Sequence, residues 1–343
     1  MVELIRMKQS SKIPLLIITG PTASGKTAVA VKVAKKLNGE IISADSMLIY
    51  RYMNIGTAKP TPEEMEEVPH YLIDIADPDD RFSVQIYQRL AREAIEYIHG
   101  RGKIPILTGG TGFYIDSVMY NYDFGFSGAD HGYRSSLHRI AEEKGKETVH
   151  NMLKQVDPEA SERIHPNNLK KVIRALEIIH QTGSSGSITR SEHKNEYESY
   201  DMLLTGLYYD RNKLYQRIDL RVDQMVAQGL VGEVSNLIKD GYQKELTAMQ
   251  GLGYKEIIGF ILHEYSLEEA VMILKRNTRR FAKRQLTWFK RYSNINWIDM
   301  ENYDTIDQTA ADIIKLFWDS TVGAEIKKKE KMPTEGNICQ RPK

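Results

Sequence analysis

Residues 20–27 constrain the fold of this chain more than any other segment. They read GPTASGKT and match the phosphate-binding pattern G-x-x-x-x-G-K-[ST] in full. A short apolar run at 14–19 precedes them, and a segment with Ala and Val at helical spacing, Lys26–Leu37, follows. A phosphate loop between a buried strand and a helix predicts an α/β fold with a parallel sheet.

The same alternation of short apolar strands and helices continues along the chain. We predict strands at 40–43, 104–108 and 202–208, and helices at 84–99, 211–228, 230–239 and 267–291. Residues 120–200 contain helix-like stretches and polar loops, but no buried strand. We therefore predict a P-loop NTPase-like parallel sheet core from residues 1–119 and 201–322, a helical insertion domain at 120–200 and a disordered tail at 323–343.

Composition excludes several classes of protein and leaves the function open. Lys and Arg number 47 against 46 Asp and Glu, so any surface that binds nucleic acid must be local. The single cysteine, Cys339, cannot form an intramolecular disulfide, and no Cys/His cluster has zinc spacing. No apolar stretch is long enough for a membrane span and no secretory signal is recognisable. We expect a cytoplasmic monomer without a membrane partner.

The phosphate loop predicts the chemistry of the ligand. Its glycines allow backbone N–H groups to surround an oxyanion, and the helix N-terminus adds partial positive charge. Lys26 supplies a full charge, and Thr27 can hold a hydrated Mg²⁺ that bridges phosphate oxygens. The expected phosphate-binding residues are Gly20, Pro21, Thr22, Ala23, Ser24, Gly25, Lys26 and Thr27.

P-loops hold ATP, GTP and other polyphosphates, so the position of acidic residues must narrow the reaction. A hydrolytic NTPase places a metal-binding Asp at the end of an apolar strand, but the strand at 104–108 ends in Thr-Gly-Gly-Thr-Gly. Asp45 instead follows the strand at 40–43. Because strand C-termini converge on the ligand crevice, Asp45 would face the phosphate loop and could accept a proton. The alternative is that Asp45 caps a helix that begins near Met47.

Several longer motifs resemble the tRNA dimethylallyltransferases, also called tRNA isopentenyltransferases. The resemblance extends in order over residues 14–300 and is far more specific than the P-loop alone. Its motifs are the phosphate loop with SADSMLIY at 43–50, NIGTAKP at 54–60, PHYLID at 69–74, GGTGFY at 109–114, RIHPN at 163–167, RALE at 174–177, GLGY at 251–254 and KRQLTW at 283–288. Leu48 departs from many members, which have Gln there.

This resemblance implies prenyl transfer. The N6 amine of the adenosine immediately 3′ of the anticodon would displace diphosphate from dimethylallyl diphosphate, giving N6-dimethylallyladenosine. The P-loop would then hold a leaving group, with Mg²⁺ as cofactor. The resemblance assigns catalytic roles to Asp45 as the base and to Thr22, Lys26 and Arg221 at the diphosphate. From the residues alone, the i, i+4 pair Arg217 and Arg221 could also be a solvated face.

A tRNA substrate requires a local cationic surface for its anticodon stem-loop. Lys275, Arg276, Arg279, Arg280, Lys283, Arg284, Lys290 and Arg291 lie within one predicted helix, which is either such a surface or a face paired with acidic neighbours. Arg280 and Arg284 are our candidates on it. By resemblance, the other tRNA contacts are Asp45, Ser46, Met47, Leu48, Thr111, Arg134, Lys170, Lys171, Val172, Ile173, Arg174, Gln250, Gly251, Leu252, Gly253, Tyr254 and Lys255.

Three other functions remain open at this stage. A P-loop small-molecule kinase would share the phosphate loop and sheet, but it would leave the insertion and the basic helix unexplained. An enzyme that prenylates free adenine nucleotides should lack an insertion domain that binds RNA. A non-catalytic RNA-binding module would have no use for an intact phosphate loop together with Asp45.

Overall fold

The structure is a computed structural model that describes residues 12–120, 122, 130–183, 199–324 and 326. The chain divides into two compact units, which are Met1–Met119 with Tyr197–Lys343, and Tyr120–Glu196. No helix in the described ranges is long and apolar enough to cross a membrane.

The larger unit is built on a six-stranded parallel sheet. Its strands are β1 (Ile13–Thr19), β2 (Gly39–Ser43), β3 (His70–Tyr71), β4 (Ile104–Gly109), β5 (Tyr200–Tyr208) and β6 (Asn296–Asp299), in the order β3-β2-β4-β1-β5-β6. Leu15, Leu16, Ile17 and Ile18 of β1 are all fully buried. Both faces of the central strand are therefore covered, as the unbroken apolar run predicts.

The main α-helices of the larger unit pack against the sheet or against one another. They are α1 (Lys26–Leu37), α2 (Pro62–Met65), α3 (Val84–Gly100), α4 (Gly112–Met119), and, after the insertion, α9 (Arg211–Ala227), α10 (Leu230–Lys239), α11 (Tyr254–Ile261), α12 (Leu267–Phe289) and α13 (Ile306–Asp319). Helices α1 and α13 share a core with Leu16 and Ile18 of β1. Helices α9 to α12 form a second core around Val222, Val234, Tyr254 and Leu274.

The smaller unit consists of helices α5 (His131–Lys144), α6 (Lys146–Val156), α7 (Pro158–Arg163) and α8 (Leu169–Thr182). Their apolar faces meet in a separate core that contains Leu137, Val149, Leu153, Val172 and Leu176. The described residues of this unit form helices and the loops between them, without a strand.

The α/β class with a parallel sheet, predicted from the sequence, is confirmed. Helices α1 and α10 have the predicted bounds, and most other boundaries differ by one or two residues. Six elements of the larger unit were not predicted: the strands β3 and β6 and the helices α2, α4, α11 and α13. Most of the predicted disordered tail lies outside the described residues. Of its described members, Gly323, Ala324 and Ile326 are helical, so the tail cannot begin at 323 as predicted.

Candidate active site

Three loops meet at the carboxyl edge of the sheet. The parallel register places Thr19 opposite Gly109, and Thr108 opposite Ser43. Strands β1, β4 and β2 are neighbours and end at the same level, so the loops that follow them lie side by side. These loops are the phosphate loop (residues 20–27), the glycine turn (residues 109–112) and the Asp45 turn (residues 44–47).

A cavity of about 290 Å³ opens at this edge. Many of the predicted site residues line it, namely Thr22, Lys26, Thr27, Asp45, Ser46, Met47, Leu48, Arg221, Gly251, Leu252, Lys255 and Arg284. Four further lining residues, Thr57, His70, Phe281 and Gln285, were given no role from the sequence, although the first, second and fourth lie in motifs that carry the resemblance. The structure therefore brings the phosphate loop, the proposed base and Arg221 into one site.

The phosphate loop adopts a compact turn at the start of α1. Gly25 has φ 87°, a left-handed conformation that explains the glycine, since side chains disfavour it. The ammonium of Lys26 donates to the carbonyl of Pro21 at 3.2 Å, and Arg217 Nε donates to the carbonyl of Ala23 at 2.9 Å. Arg217 therefore supports the loop from outside, while Arg221, one turn later on the same helix face, lines the cavity.

Two cations in the cavity lack a strong partner. Burial lowers the pKa of Lys26 to about 8, with Asp45 opposing and Arg221 adding to the decrease. Burial also lowers the pKa of Arg221, with Asp45 and Glu64 opposing and Arg217 adding to the decrease. The Nε atom of Arg221 is buried without a hydrogen-bond partner among the described residues. An anionic ligand would relieve both desolvated charges.

Asp45 is held by its own turn and by the glycine turn. Its Oδ1 accepts the N–H of Met47 at 2.9 Å, Thr111 donates its N–H to the carbonyl of Ala44 at 3.0 Å, and Thr111 Oγ1 accepts the N–H of Ser46 at 3.0 Å. The alternative prediction of a helix near Met47 is wrong, because residues 46–49 form turns. Asp45 Oδ1 stabilises that turn, and the carboxylate still lines the cavity.

Apolar side chains form a large part of the cavity wall. They come from α9, from α12 and from the Asp45 turn with its continuation, and include Met47, Leu48, Ile218, Val222, Met225, Leu274 and Phe281. The wall matches a ligand that has both a polyphosphate and an apolar group.

The residues present fit a magnesium ion that is held mainly by its ligand. The described residues contain no cluster of three or more His, Cys, Asp or Glu side chains able to bind a metal. Thr27 lines the cavity at the end of the phosphate loop and offers one hydroxyl oxygen. Mg²⁺ is often held by one or two protein oxygens together with phosphate and water, and this donor set suits that mode.

Helix α12 is cationic on its exposed side. Lys275 pairs with Asp223 at 2.6 Å, and Arg279 pairs with Asp219. In the part of the chain that the structure describes, Arg280 and Arg284 are exposed and have no carboxylate partner. The face is thus partly paired and partly free, and the two predicted tRNA contacts on it are free cations.

In the smaller unit, the predicted tRNA contacts have different environments. Lys170 and Lys171 are exposed on α8. Arg134 and Arg174 both pair with the buried carboxylate of Glu177, whose pKa they lower despite the opposing effect of burial.

Three of the predicted tRNA contacts have buried side chains. The side chains of Val172 and Ile173 pack in the core of α5 to α8, so only their backbone atoms are left for the predicted contact. Tyr254 is likewise fully buried in the second core, and its hydroxyl donates to Glu233 at 2.7 Å. Apolar and aromatic residues within a motif pack internally more often than they contact a ligand. Of the neighbouring predicted contacts, Gln250 and Lys255 are exposed, whereas Gly253 is buried at the start of α11.

Glu233 supports the site from α10 and was missed by sequence reasoning. Its carboxylate accepts the backbone N–H groups of Asn54, Ile55 and Gly56 at 2.8–3.0 Å, in addition to the Tyr254 hydroxyl. It thereby fixes the loop that carries Thr57, whose carbonyl lies 3.5 Å from an Arg221 nitrogen. No sequence signal identifies such a residue, because its partners are backbone amides far along the chain.

The parallel sheet, the phosphate loop and the acid after β2 define a P-loop α/β protein with a mixed polar and apolar ligand cavity. Within that class the chain belongs to the IPP transferase family, whose model matches residues 48–292. It is 55% identical over 304 residues to the tRNA dimethylallyltransferase of Alkaliphilus oremlandii, covering 88% of this chain and 96% of that protein. It is 51% identical to the protein of the same name from Acetivibrio thermocellus, covering 85% and 93%.

Solved structures agree with these sequence relatives. The full-length tRNA isopentenylpyrophosphate transferase of Bacillus halodurans is 44% identical, with a TM-score of 0.69 over 94% of this chain and 100% of that one. A eukaryotic dimethylallyltransferase acting on tRNA is 29% identical, with a TM-score of 0.77 over 89% of this chain and 79% of that one. The resemblance inferred from the motifs is confirmed.

Proposed function

We infer that the chain is a tRNA dimethylallyltransferase. It transfers the dimethylallyl group of dimethylallyl diphosphate to N6 of the adenosine adjacent to the 3′ side of the anticodon in tRNA, and it releases diphosphate. The observation that carries this inference is the cavity, where Lys26, Arg221 and Asp45 stand beside a hydrocarbon wall that includes Val222 and Phe281. A small-molecule kinase is disfavoured by the match to the IPP transferase family.

The reaction requires a proton acceptor and stabilisation of the leaving group. As the bond from N6 to C1 of the prenyl group forms, the bond from C1 to the diphosphate oxygen breaks. Asp45 accepts a proton from N6, and Lys26 and Arg221 neutralise the charge that grows on diphosphate. Thr22 lies in the loop that surrounds the diphosphate. A bound Mg²⁺ on Thr27 would supply further positive charge to the phosphate oxygens.

The remaining partners are proposals of the same kind. The anticodon stem-loop would lie against the free cations Arg280 and Arg284 of α12, and the target adenine must leave its stack to enter the cavity. Lys170 and Lys171 would contribute phosphate contacts from the insertion. We propose that the enzyme acts in the cytoplasm as a monomer.

The decisive experiment is incubation of the purified protein with unmodified tRNA, Mg²⁺ and labelled dimethylallyl diphosphate, followed by nucleoside analysis. We expect label in N6-dimethylallyladenosine and stoichiometric diphosphate. Phosphate release or transfer from ATP without any carbon transfer would instead identify a kinase. Modification of free adenine nucleotides but not of tRNA would show that the enzyme prenylates nucleotides instead of tRNA.

The lowered pKa of Lys26 predicts a pH dependence. In the free protein its pKa is about 8, so the ammonium that attracts diphosphate is lost as pH rises through that value. We expect the association constant of dimethylallyl diphosphate with the free protein to fall about tenfold per pH unit above pH 8. In Lys26→Arg, whose guanidinium stays charged, this decrease above pH 8 should disappear. The same decrease in both proteins would show that the titration of another group causes it.

The free cations of α12 predict a change in salt dependence. Arg280→Ala and Arg284→Ala should each weaken tRNA binding and reduce the slope of log K against log salt by about 0.7–0.9 per lost phosphate contact. Lys315→Ala, on α13 away from the cavity, removes the same charge from an exposed helix position and serves as the control. Filter-binding titrations over a range of salt concentrations measure the slopes. Equal slopes in all three variants and the parent would exclude α12 as the RNA surface.

A further inference from the structure

Gln285 joins the two halves of the catalytic cavity. It lies on the inner face of α12, is only 5% exposed, and contributes to the cavity lining. Its Oε1 accepts the backbone N–H of Thr22 at 2.8 Å, and its Nε2 donates to the carbonyl of Gly110 at 2.9 Å. One side chain therefore bridges the phosphate loop and the glycine turn.

Each bond acts on a group beside the reacting atoms. The first fixes the Thr22 peptide within the loop that receives the diphosphate. The second fixes Gly110, which precedes Thr111, and Thr111 in turn holds Ala44 and Ser46 on either side of Asp45. The leaving-group site and the base are thus connected through the Gln285 amide and the glycine turn.

The chemistry of this position requires an amide of glutamine length. The Thr22 N–H needs an acceptor and the Gly110 carbonyl needs a donor, and a carboxamide offers both on one planar group. Glutamate lacks the donor, asparagine is one methylene shorter, and leucine has neither function. Packing is equally close, since a Cβ built on Gly110 would stand 2.3 Å from Gln285 Nε2.

We propose that Gln285 is a positioning residue that sets the distance between the diphosphate in the phosphate loop and the carboxylate of Asp45. This rests on the proposed function and adds a residue to it. A displacement of about 1 Å between reacting groups can cost about a hundredfold in rate. Gln285 therefore acts on the chemical step, whereas substrate affinity depends mainly on the groups that touch the substrates.

The test compares Gln285→Leu and Gln285→Glu with the unchanged protein in the labelled prenyl transfer assay. We expect kcat to fall tenfold or more in both variants, whereas the Kd for tRNA changes less than about threefold. The stoichiometry of tRNA binding gives the folded fraction, so kcat is expressed per binding-competent molecule. Thr287→Ala, exposed on the same helix and bonded only to its own helix carbonyl, is the matched control and should retain kcat.

A double-mutant cycle separates positioning from a general loss of packing. If Gln285 acts through Asp45, the loss caused by Gln285→Leu should shrink markedly in an Asp45→Asn background, because the misplaced base is already absent. A purely structural role predicts the same fold loss in both backgrounds. Where Gln285→Leu fails to fold, Gln285→Glu takes its place in the cycle. Full kcat in either folded variant, or additive losses, would overturn the proposal. Absence of transfer by the unchanged protein would refute the proposed function instead.

Discussion

Replacement of Asp45 by asparagine should lower the turnover number by about 10²–10⁴-fold, the range for loss of a general base. The carboxylate accepts the N6 proton in the proposed reaction, and an amide cannot. Asparagine retains an Oδ1 acceptor for the Met47 N–H, so the Asp45 turn should persist. Single-turnover prenyl transfer with saturating substrates measures the effect.

Two conditions make this result interpretable. The assay should be run near pH 7, because Asp45 supports the charged form of Lys26 and its removal lowers that pKa further. Affinity for tRNA should change little, since the base acts on one proton and not on the phosphates. Turnover equal to that of the parent protein would remove Asp45 from the mechanism.

Replacement of Arg221 by glutamine should lower kcat by about 10²–10³-fold, the usual cost of one lost donor to a developing charge in a protected site. The guanidinium is desolvated in the free protein, and its Nε lacks a partner among the described residues. An anion in the cavity compensates this charge, and the compensation grows as negative charge accumulates on the leaving diphosphate. Glutamine supplies neither the charge nor the reach.

The matched control is Lys213→Gln, which removes one positive charge from an exposed position on the same helix. Net charge and helix composition then change equally in the two variants. Only Arg221→Gln should lose turnover. Similar losses in both would indicate a long-range electrostatic effect and not a direct contact with diphosphate.

The sequence predicted those parts of the fold in which local pattern and burial agree. The phosphate-loop motif predicted where α1 begins in the sequence, and short apolar runs predicted β1, β2 and β4. Strand β6 was missed because Asn296–Asp299 has only one buried residue and no alternating pattern. Helix α13 did have a signal, since Thr305 and Gln308 form a capping box before the buried residues Ala310, Ile313 and Phe317.

The cavity residues that belong to a recognisable motif could be predicted from the sequence. Those that reach the cavity only through tertiary packing were harder to predict. Glu233 has no local signature, because its partners are amides about 180 positions earlier in the chain. Gln285 was detectable in principle, since it stands three residues after Ala282 and four before Phe289, both fully buried on one helix face. A polar residue at such a position must have internal partners.

Helix α12 presents exposed arginines on one side and a buried amide on the other, over only a few residues. Successive positions in a helix are separated by about 100° of rotation. Loss or gain of one residue between Ser266 and Arg280 would therefore turn both faces together, pointing the amide away from the loops and the cations away from solvent. We therefore expect the length of this segment to be the same in all functional members of the family.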